Sequence, residues 1–218
     1  MAEEEKELSG LLFQPNVPEL AAIKTRCHEL CRQFSALAED DPVRNELLQK
    51  ILGALGDNSF IQRPAMFHYG VHTSIGKGTF INFNLTVQDD GPVSIGDFCN
   101  FGPNVTIVTP CHPMLPEERR VMHDSSGREV RLCYAKPVTV GNNVWLGANV
   151  VICPGVTIGD GCVIGAGSVV TRDIPPMHFA AGIPAASSGR LPKRIPWPWS
   201  RSCWENTASE HEFIIGCF

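Results

Sequence analysis

The chain has 218 residues, 43% hydrophobic and 19% charged, with a formal net charge of -5. That composition supports one packed domain, and the acidic balance without a Lys/Arg cluster argues against nucleic acid as a partner. No apolar run is long enough to cross a bilayer, and the acidic start Met1-Ala2-Glu3-Glu4-Glu5-Lys6 leads into no signal-peptide-like segment, so a cytoplasmic protein without membrane contact is expected.

Residues 1–58 read as a helical cap. Pro18-Glu19 opens a helix that carries Leu20, Ile23, Leu30 and Phe34 on one face. After Asp40-Asp41-Pro42, the spacing of Leu47, Leu48, Ile51, Leu52 and Leu55 predicts a second helix, ended by Gly56-Asp57-Asn58. Cys27 and Cys31 stand one helical turn apart. The nine cysteines are otherwise scattered, as expected of reduced thiols packed as small hydrophobes rather than of disulfides or a metal cluster.

From residue 60 onward Gly, Val and Ile dominate, and large residues recur every six positions. They fall at Ile75, Ile81 and Val87; at Ile95, Phe101 and Ile107; at Val140, Leu146 and Ile152; and at Ile158, Ile164 and Val170. A second set runs two positions ahead, for example Val93, Cys99, Val105, Val138, Val144, Val150, Val156, Cys162 and Ser168. Glycine follows the large residue at Gly76, Gly96, Gly102, Gly141, Gly147, Gly159 and Gly165. This period fits neither a helix nor one continuous strand, but it does fit very short strands joined by tight corners. The large residue then points inward, and the glycine is expected to supply the corner's dihedral angles. Three repeats close a triangular coil, so these twelve positions predict four stacked coils. Residues 59–186 are therefore expected to form a mainly β, parallel β-helix domain.

Two interruptions break the repeat. Two extra residues enter around Asp89-Asp90-Gly91, and residues 108–137 form a polar, proline-containing insertion without the six-residue phase. A long loop thrown out of a strict solenoid is a usual place for function. After Pro175-Pro176 the pattern stops. Ala180-Ala181-Gly182-Ile183-Pro184-Ala185 reads as a turn leaving the coil, and the tail 187–218, with Pro196-Trp197-Pro198-Trp199 and Trp204, has no repeat.

Several stretches carry a more specific signature. They are Ser9-Gly10-Leu11-Leu12-Phe13, Asn82-Phe83-Asn84-Leu85-Thr86, Asp89-Asp90, Pro103-Asn104-Val105, Cys111-His112-Pro113, Gly141-Asn142-Asn143-Val144-Trp145-Leu146-Gly147, Pro154-Gly155-Val156-Thr157-Ile158-Gly159 and Gly165-Ala166-Gly167-Ser168-Val169-Val170-Thr171-Arg172-Asp173. Together, over roughly residues 6–186, they resemble the galactoside, maltose and nodulation-type O-acetyltransferases of the hexapeptide-repeat superfamily. The resemblance implies a left-handed coil, direct acetyl transfer in a ternary complex, and a homotrimer with sites between subunits. It also implies acetyl-CoA as a co-substrate, with no permanently bound cofactor, and a small hydroxylated molecule as acceptor.

Such a transfer needs a base for the hydroxyl proton, a donor for the oxyanion, and alignment of both substrates. The resemblance assigns the base to His112, which on its own would more readily read as a loop histidine that only hydrogen-bonds. Asn82 and Asp90 match acceptor-contacting positions, although both residue types also favour turns. Trp145, Ala148, Ala166, Thr171 and Arg172 match the coenzyme A side, with the Ala148 N–H as oxyanion donor and Arg172 facing phosphate. Ala166 could instead pack in the inner column. Cys111 has no activating partner besides His112, which disfavours a covalent route.

The acceptor side departs from the family pattern. Pro15 stands where a carboxylate is usual, and His68 where Ser or Asp is usual before Tyr-Gly. Arginines expected past Ile183-Pro184 are replaced by Ala186 and Gly189, with Arg190, Lys193 and Arg194 nearby. Galactoside and maltose are therefore not the expected acceptors. Two other classes remain open: a zinc enzyme using His68, His72 and His112, for which the spacing is poor, and a non-catalytic assembly protein on the same coil.

Overall fold

The computed structural model describes residues 1–191. Most of it is three parallel sheets that form the faces of a solenoid. The first face stacks Ala54–Leu55, Thr73–Ile75, Val93–Ile95, Val138–Val140 and Thr157–Ile158. The second stacks Phe60–Ile61, Phe80–Ile81, Asn100–Phe101, Trp145–Leu146, Val163–Ile164 and His178–Gly182, closed by the antiparallel strand Ala185–Arg190. The third stacks Ala65–Phe67, Leu85–Gln88, Thr106–Val108, Val151–Ile152 and Val169–Val170.

Five coils are complete, and a sixth is begun by Ile174, bridged to Ile158, and by Ala180. The four-coil expectation thus falls short. Leu55, Ile61 and Phe67 already carry the six-residue phase, and Ala54–Leu55 pairs in parallel with Ser74–Ile75. The helix expected to reach Leu55 is Val43–Ile51, and its backbone turns away at Leu52 and Gly53 to start the first strand. At the other end, the expected turn Ala180–Ala185 is mostly strand, because His178–Gly182 adds to the second face beside Val163–Ile164.

The glycines after the large residues have a different task from the one expected. None of Gly76, Gly96, Gly102, Gly141, Gly147, Gly159 and Gly165 has a positive φ. They lie where successive coils touch: a Cβ on Gly147 would stand 2.5 Å from the Ala166 nitrogen. The left-handed residue comes two positions later in the repeat, at Asn58, Gly78, Asn84, Phe98, Asn104, Asn143, Asn149, Gly155, Gly161, Gly167 and Met177. Asparagine and glycine, the types that tolerate that region best, fill most of these positions, and Phe98 and Met177 are the exceptions. At one corner, the Asn84 amide donates to Asn104 Oδ1 at 2.9 Å and Asn104 to Asn149 Oδ1 at 3.0 Å, which fixes the stacking.

Two of the N-terminal helices close one end of the solenoid, and the first packs against Tyr134–Ala135. Helix α1 is Glu3–Leu8, α2 is Pro18–Ala36 and α3 is Val43–Ile51. Leu20, Cys27, Cys31 and Phe34 of α2 and Leu47, Leu48 and Ile51 of α3 are buried. Arg44 reaches beneath the first coil, where its guanidinium donates to the Ile61 carbonyl at 2.8 Å and lies 5.0 Å from the Phe34 ring centre. All seven described cysteines are free thiols. Among the described residues no helix is long and apolar enough to cross a membrane.

The insertion is more ordered than a loop. Its base is an antiparallel pair, Pro110–Cys111 with Tyr134–Ala135. Beyond it come the short helix α4, Pro116–Arg119, and a hairpin of Met122–His123 with Glu129–Val130. The solenoid continues undisturbed across the gap, since Val138–Val140 pairs in register with Val93–Ile95. Lys193, Arg194 and the tryptophan-rich part of the tail lie outside the described residues.

Candidate active site

Each coil has three corners, and the interruptions of the repeat both sit at the corner between the third and first faces. Asp89-Asp90-Gly91 occupies that corner in the second coil, and the insertion leaves it in the third. Thr109 ties the two together. Its N–H and its hydroxyl both donate to the Gln88 carbonyl, at 3.1 and 2.8 Å, and its Oγ1 accepts the Gly91 N–H at 2.8 Å. Asp90 is thereby held beside the root of the insertion, from which His112 projects.

A cavity of about 270 Å³ lies at this corner, lined among others by His68, Gln88, Asp90, His112, Arg131 and Cys133, with Pro15 and Asn16. That is near the lower end for small-molecule pockets. Three of the sequence-predicted residues therefore meet: His68, Asp90 and His112. Asp90 is only 4% exposed, and its Oδ2 has no hydrogen-bond partner. Burial, reinforced by Asp89, pushes its carboxyl up to about 6. The turn-chemistry alternative does not account for an oxygen left unbonded beside a cavity. His68 stacks edge-on to Tyr69 and His28, and burial together with Lys24 and His28 drives its pKa down to about 4. It presents a neutral ring to the cavity.

His112 is exposed, and its Nδ1 lies 3.3 Å from Cys133 Sγ. The register of the insertion's base explains the contact. Cys111 pairs with Tyr134, so the next positions outward, His112 and Cys133, face each other across the ladder. Cys133 is in turn bonded to Phe13, N–H to carbonyl in both directions at 2.9 and 3.1 Å. The segment after α1 thus forms a third edge of this small sheet. Phe13, Leu20, Tyr69, Cys133 and Ala135 pack as a separate apolar cluster behind the cavity.

The other predicted residues stand elsewhere. Asn82 sits at the corner between the second and third faces, where its Oδ1 accepts the Phe83 N–H at 2.8 Å. Ala148 and Ala166 share that corner, one coil above the other. Ala166 is exposed there, so the inner-column alternative fails. The Ala148 N–H makes no hydrogen bond within the described residues. Trp145 is half exposed on the second face, whereas Thr171 and Arg172 are exposed at the same corner as His112.

His72 does not join His68 and His112. Its Nδ1 meets the Asp89 carbonyl at 2.9 Å and its Nε2 meets Glu4 Oε1 at 3.3 Å. Among the described residues no three His, Cys, Asp or Glu side chains could hold a metal ion together. Cys133 and Arg131, which line the cavity, and Thr109, Phe13 and Glu7, which pack around it, are residues that sequence reasoning did not single out. Glu7 is fully buried with neither carboxylate oxygen bonded, and burial and the nearby Asp90 push it up to about 9.

Comparison with known proteins decides the family. Residues 6–56 match the maltose acetyltransferase hexapeptide capping motif, and residues 137–172 match the bacterial transferase hexapeptide (six repeats). Galactoside O-acetyltransferase of Escherichia coli (strain K12) is 40% identical over 181 residues, which is 83% of this chain and 85% of that protein. The chain belongs to the galactoside and maltose O-acetyltransferase family. The sophorolipid acetyltransferase of Starmerella bombicola is 38% identical over 202 residues, 88% of this chain and 74% of that one. A galactoside acetyltransferase solved in complex with coenzyme A superposes with a TM-score of 0.80 at 38% identity, covering 88% of this chain and 92% of that one. This acetyltransferase is therefore an enzyme of the hexapeptide-repeat class, built on a parallel β-helix with a helical cap.

Proposed function

We propose that this acetyltransferase moves an acetyl group from acetyl-CoA directly to a hydroxyl of a small molecule, with His112 as general base. The observation that carries the reading is the convergence of His112, Asp90 and His68 on one cavity at the corner where the repeat is interrupted. The His112 imidazole takes the hydroxyl proton as the oxygen attacks the thioester carbonyl. The tetrahedral oxyanion is held by the Ala148 N–H, and its collapse expels the coenzyme A thiolate, which recovers the proton from His112. Cys111 is only partly exposed and plays no covalent part.

His112 and Ala148 belong to different corners of the triangular section, as do Asp90 and Asn82. One chain therefore carries two incomplete halves, which supports a homotrimer whose sites lie between subunits. One protomer gives His112, Asp90 and His68; its neighbour gives Asn82, Trp145, Ala148 and Ala166. Thr171 and Arg172 are assigned to the coenzyme A side, with Arg172 on phosphate.

The acceptor is a hydroxylated molecule bound by Asp90, whose unbonded oxygen suits a hydroxyl pair. Pro15 and the neutral His68 make the pocket less polar than a sugar site with carboxylate and hydroxyl in those places. An acceptor screen read by free-thiol release tests the reading. Turnover with a hydroxylated acceptor is expected, with Asp90→Ala losing acceptor affinity; thiol release with no acceptor in a broad panel counts against it. In light scattering a trimer is expected, and a monomer contradicts the two-half site.

A further inference from the structure

Cys133 is a buried thiol that the transfer mechanism above does not use, yet it makes the one side-chain hydrogen-bond contact of His112 among the described residues, Sγ to Nδ1 at 3.3 Å. The contact is built in by the backbone. The insertion's base ladder places the two residues opposite each other, and Phe13 clamps Cys133 from the far side through two backbone hydrogen bonds. We propose that Cys133 is the positioning residue of His112: its sulfur accepts the Nδ1–H, which orients the ring and leaves the Nε2 lone pair facing the cavity.

A neutral imidazole has one donor and one acceptor nitrogen, and the partner of one nitrogen sets the state of the other. If the thiol donated its proton to Nδ1, the ring proton would sit on Nε2 and no base would face the acceptor. The surroundings favour the opposite polarity. Burial, with the neighbouring Asp90 carboxylate and against the nearby Arg131, raises the thiol pKa and keeps it protonated. Asp90, the anion among these neighbours, lines the same cavity with its Oδ2 unbonded; its field favours the S–H hydrogen turned to that side and the sulfur lone pairs turned to His112. Sulfur is a weak acceptor, so the ring is oriented without being strongly polarised. The N-terminal segment thereby becomes part of the catalytic apparatus, acting through Cys133.

This inference rests on His112 being the base, and its test separates the two. Long-range proton–nitrogen NMR of the imidazoles at pH 8, with the His112 signals assigned by their loss in His112→Ala, reads the tautomer without any turnover. The Nδ1–H form is expected for the wild type; an Nε2–H form overturns the proposal. In kinetics, Cys133→Ala is expected to lower kcat roughly 10- to 100-fold, the scale of loss when the partner that orients a metal-ligating histidine is removed. The KM for acetyl-CoA should stay unchanged, and Cys133→Ser should restore most of the rate, because its oxygen can accept the same hydrogen. Cys133→Ala turning over at the wild-type rate, or Cys133→Ser no better than Cys133→Ala, contradicts the assignment. A wild type that transfers no acetyl group overturns the general-base reading instead, and the tautomer still decides the role of Cys133.

Discussion

Asp89 uses both carboxylate oxygens inside the fold, one accepting the Tyr69 N–H and one the Thr73 hydroxyl, each at 2.8 Å. Asp90, its neighbour in sequence, leaves one oxygen unbonded beside the cavity. A pair of adjacent acids thus divides into a structural member and one with a free oxygen at the cavity, which the proposed function gives the acceptor. The Asp-Asp-Gly spelling marked the place, but which acid faces the cavity depends on the turn that Thr109 holds. Because burial holds the Asp90 carboxyl near 6, the anion is present above that pH and lost below it. The KM for the acceptor should therefore rise as pH falls through about 6. Asp90→Asn should raise that KM about 10- to 100-fold at pH 8, the worth of a charged hydrogen bond, and should abolish the pH effect; steady-state kinetics across pH checks both. Glu7 shows what sequence cannot reveal. In Met1-Ala2-Glu3-Glu4-Glu5-Lys6-Glu7 it reads as one more solvated charge, yet it is fully buried. Its folded pKa is about 9, above the ordinary carboxyl value, so the native state holds a proton that the unfolded chain releases between pH 4.5 and 9. Stability must fall as pH rises through that window, by at most about 1.4 kcal/mol per pH unit from this group. Glu7→Gln should flatten that decline in denaturant melts at pH 5 and pH 8; an unchanged slope contradicts it.

At the scale of elements, the helices and the repeat were legible because their periods are regular. The helix-forming and six-residue patterns in fact overlap at Leu55, and parallel pairing with Ile75 takes it into the solenoid. The glycine positions were visible too, but their physical reason was not. Contact between coils, rather than a left-handed backbone, excludes a side chain there. Gly147→Ala should accordingly disturb the Ala166 corner. The insertion shows no periodic signal, since its order comes from pairing between Pro110–Cys111 and Tyr134–Ala135, far apart in the chain. The small sheet Phe13–Cys133–His112 was therefore out of reach of local pattern reasoning. Phe13 has no exposed surface and anchors that sheet. Phe13→Ala should cost about 3–5 kcal/mol of stability in chemical denaturation, typical of a buried Phe, and should lower kcat with it.

For the whole molecule, the solenoid acts as a ruler that sets one corner above another. His112, Asp90, Thr171 and Arg172 lie along one edge, and Asn82, Ala148 and Ala166 along another. That division of predicted residues between edges is what the proposed trimer, with sites between copies, requires, and it follows from topology that the linear repeat does not display. The family-level resemblance named these residues as one group, while their arrangement into edges came only with the fold. The central claim is that His112 takes the acceptor's proton during direct transfer. Its most direct test is a single-turnover reaction of enzyme, acetyl-CoA and an accepted alcohol, with the product read by mass spectrometry for wild type and His112→Ala. The account predicts an O-acetyl ester from the wild type and a rate at least about 100-fold lower in the variant, with acetyl-CoA still bound. An equal rate of ester formation in the variant, or an acetylated enzyme on the path, would contradict it.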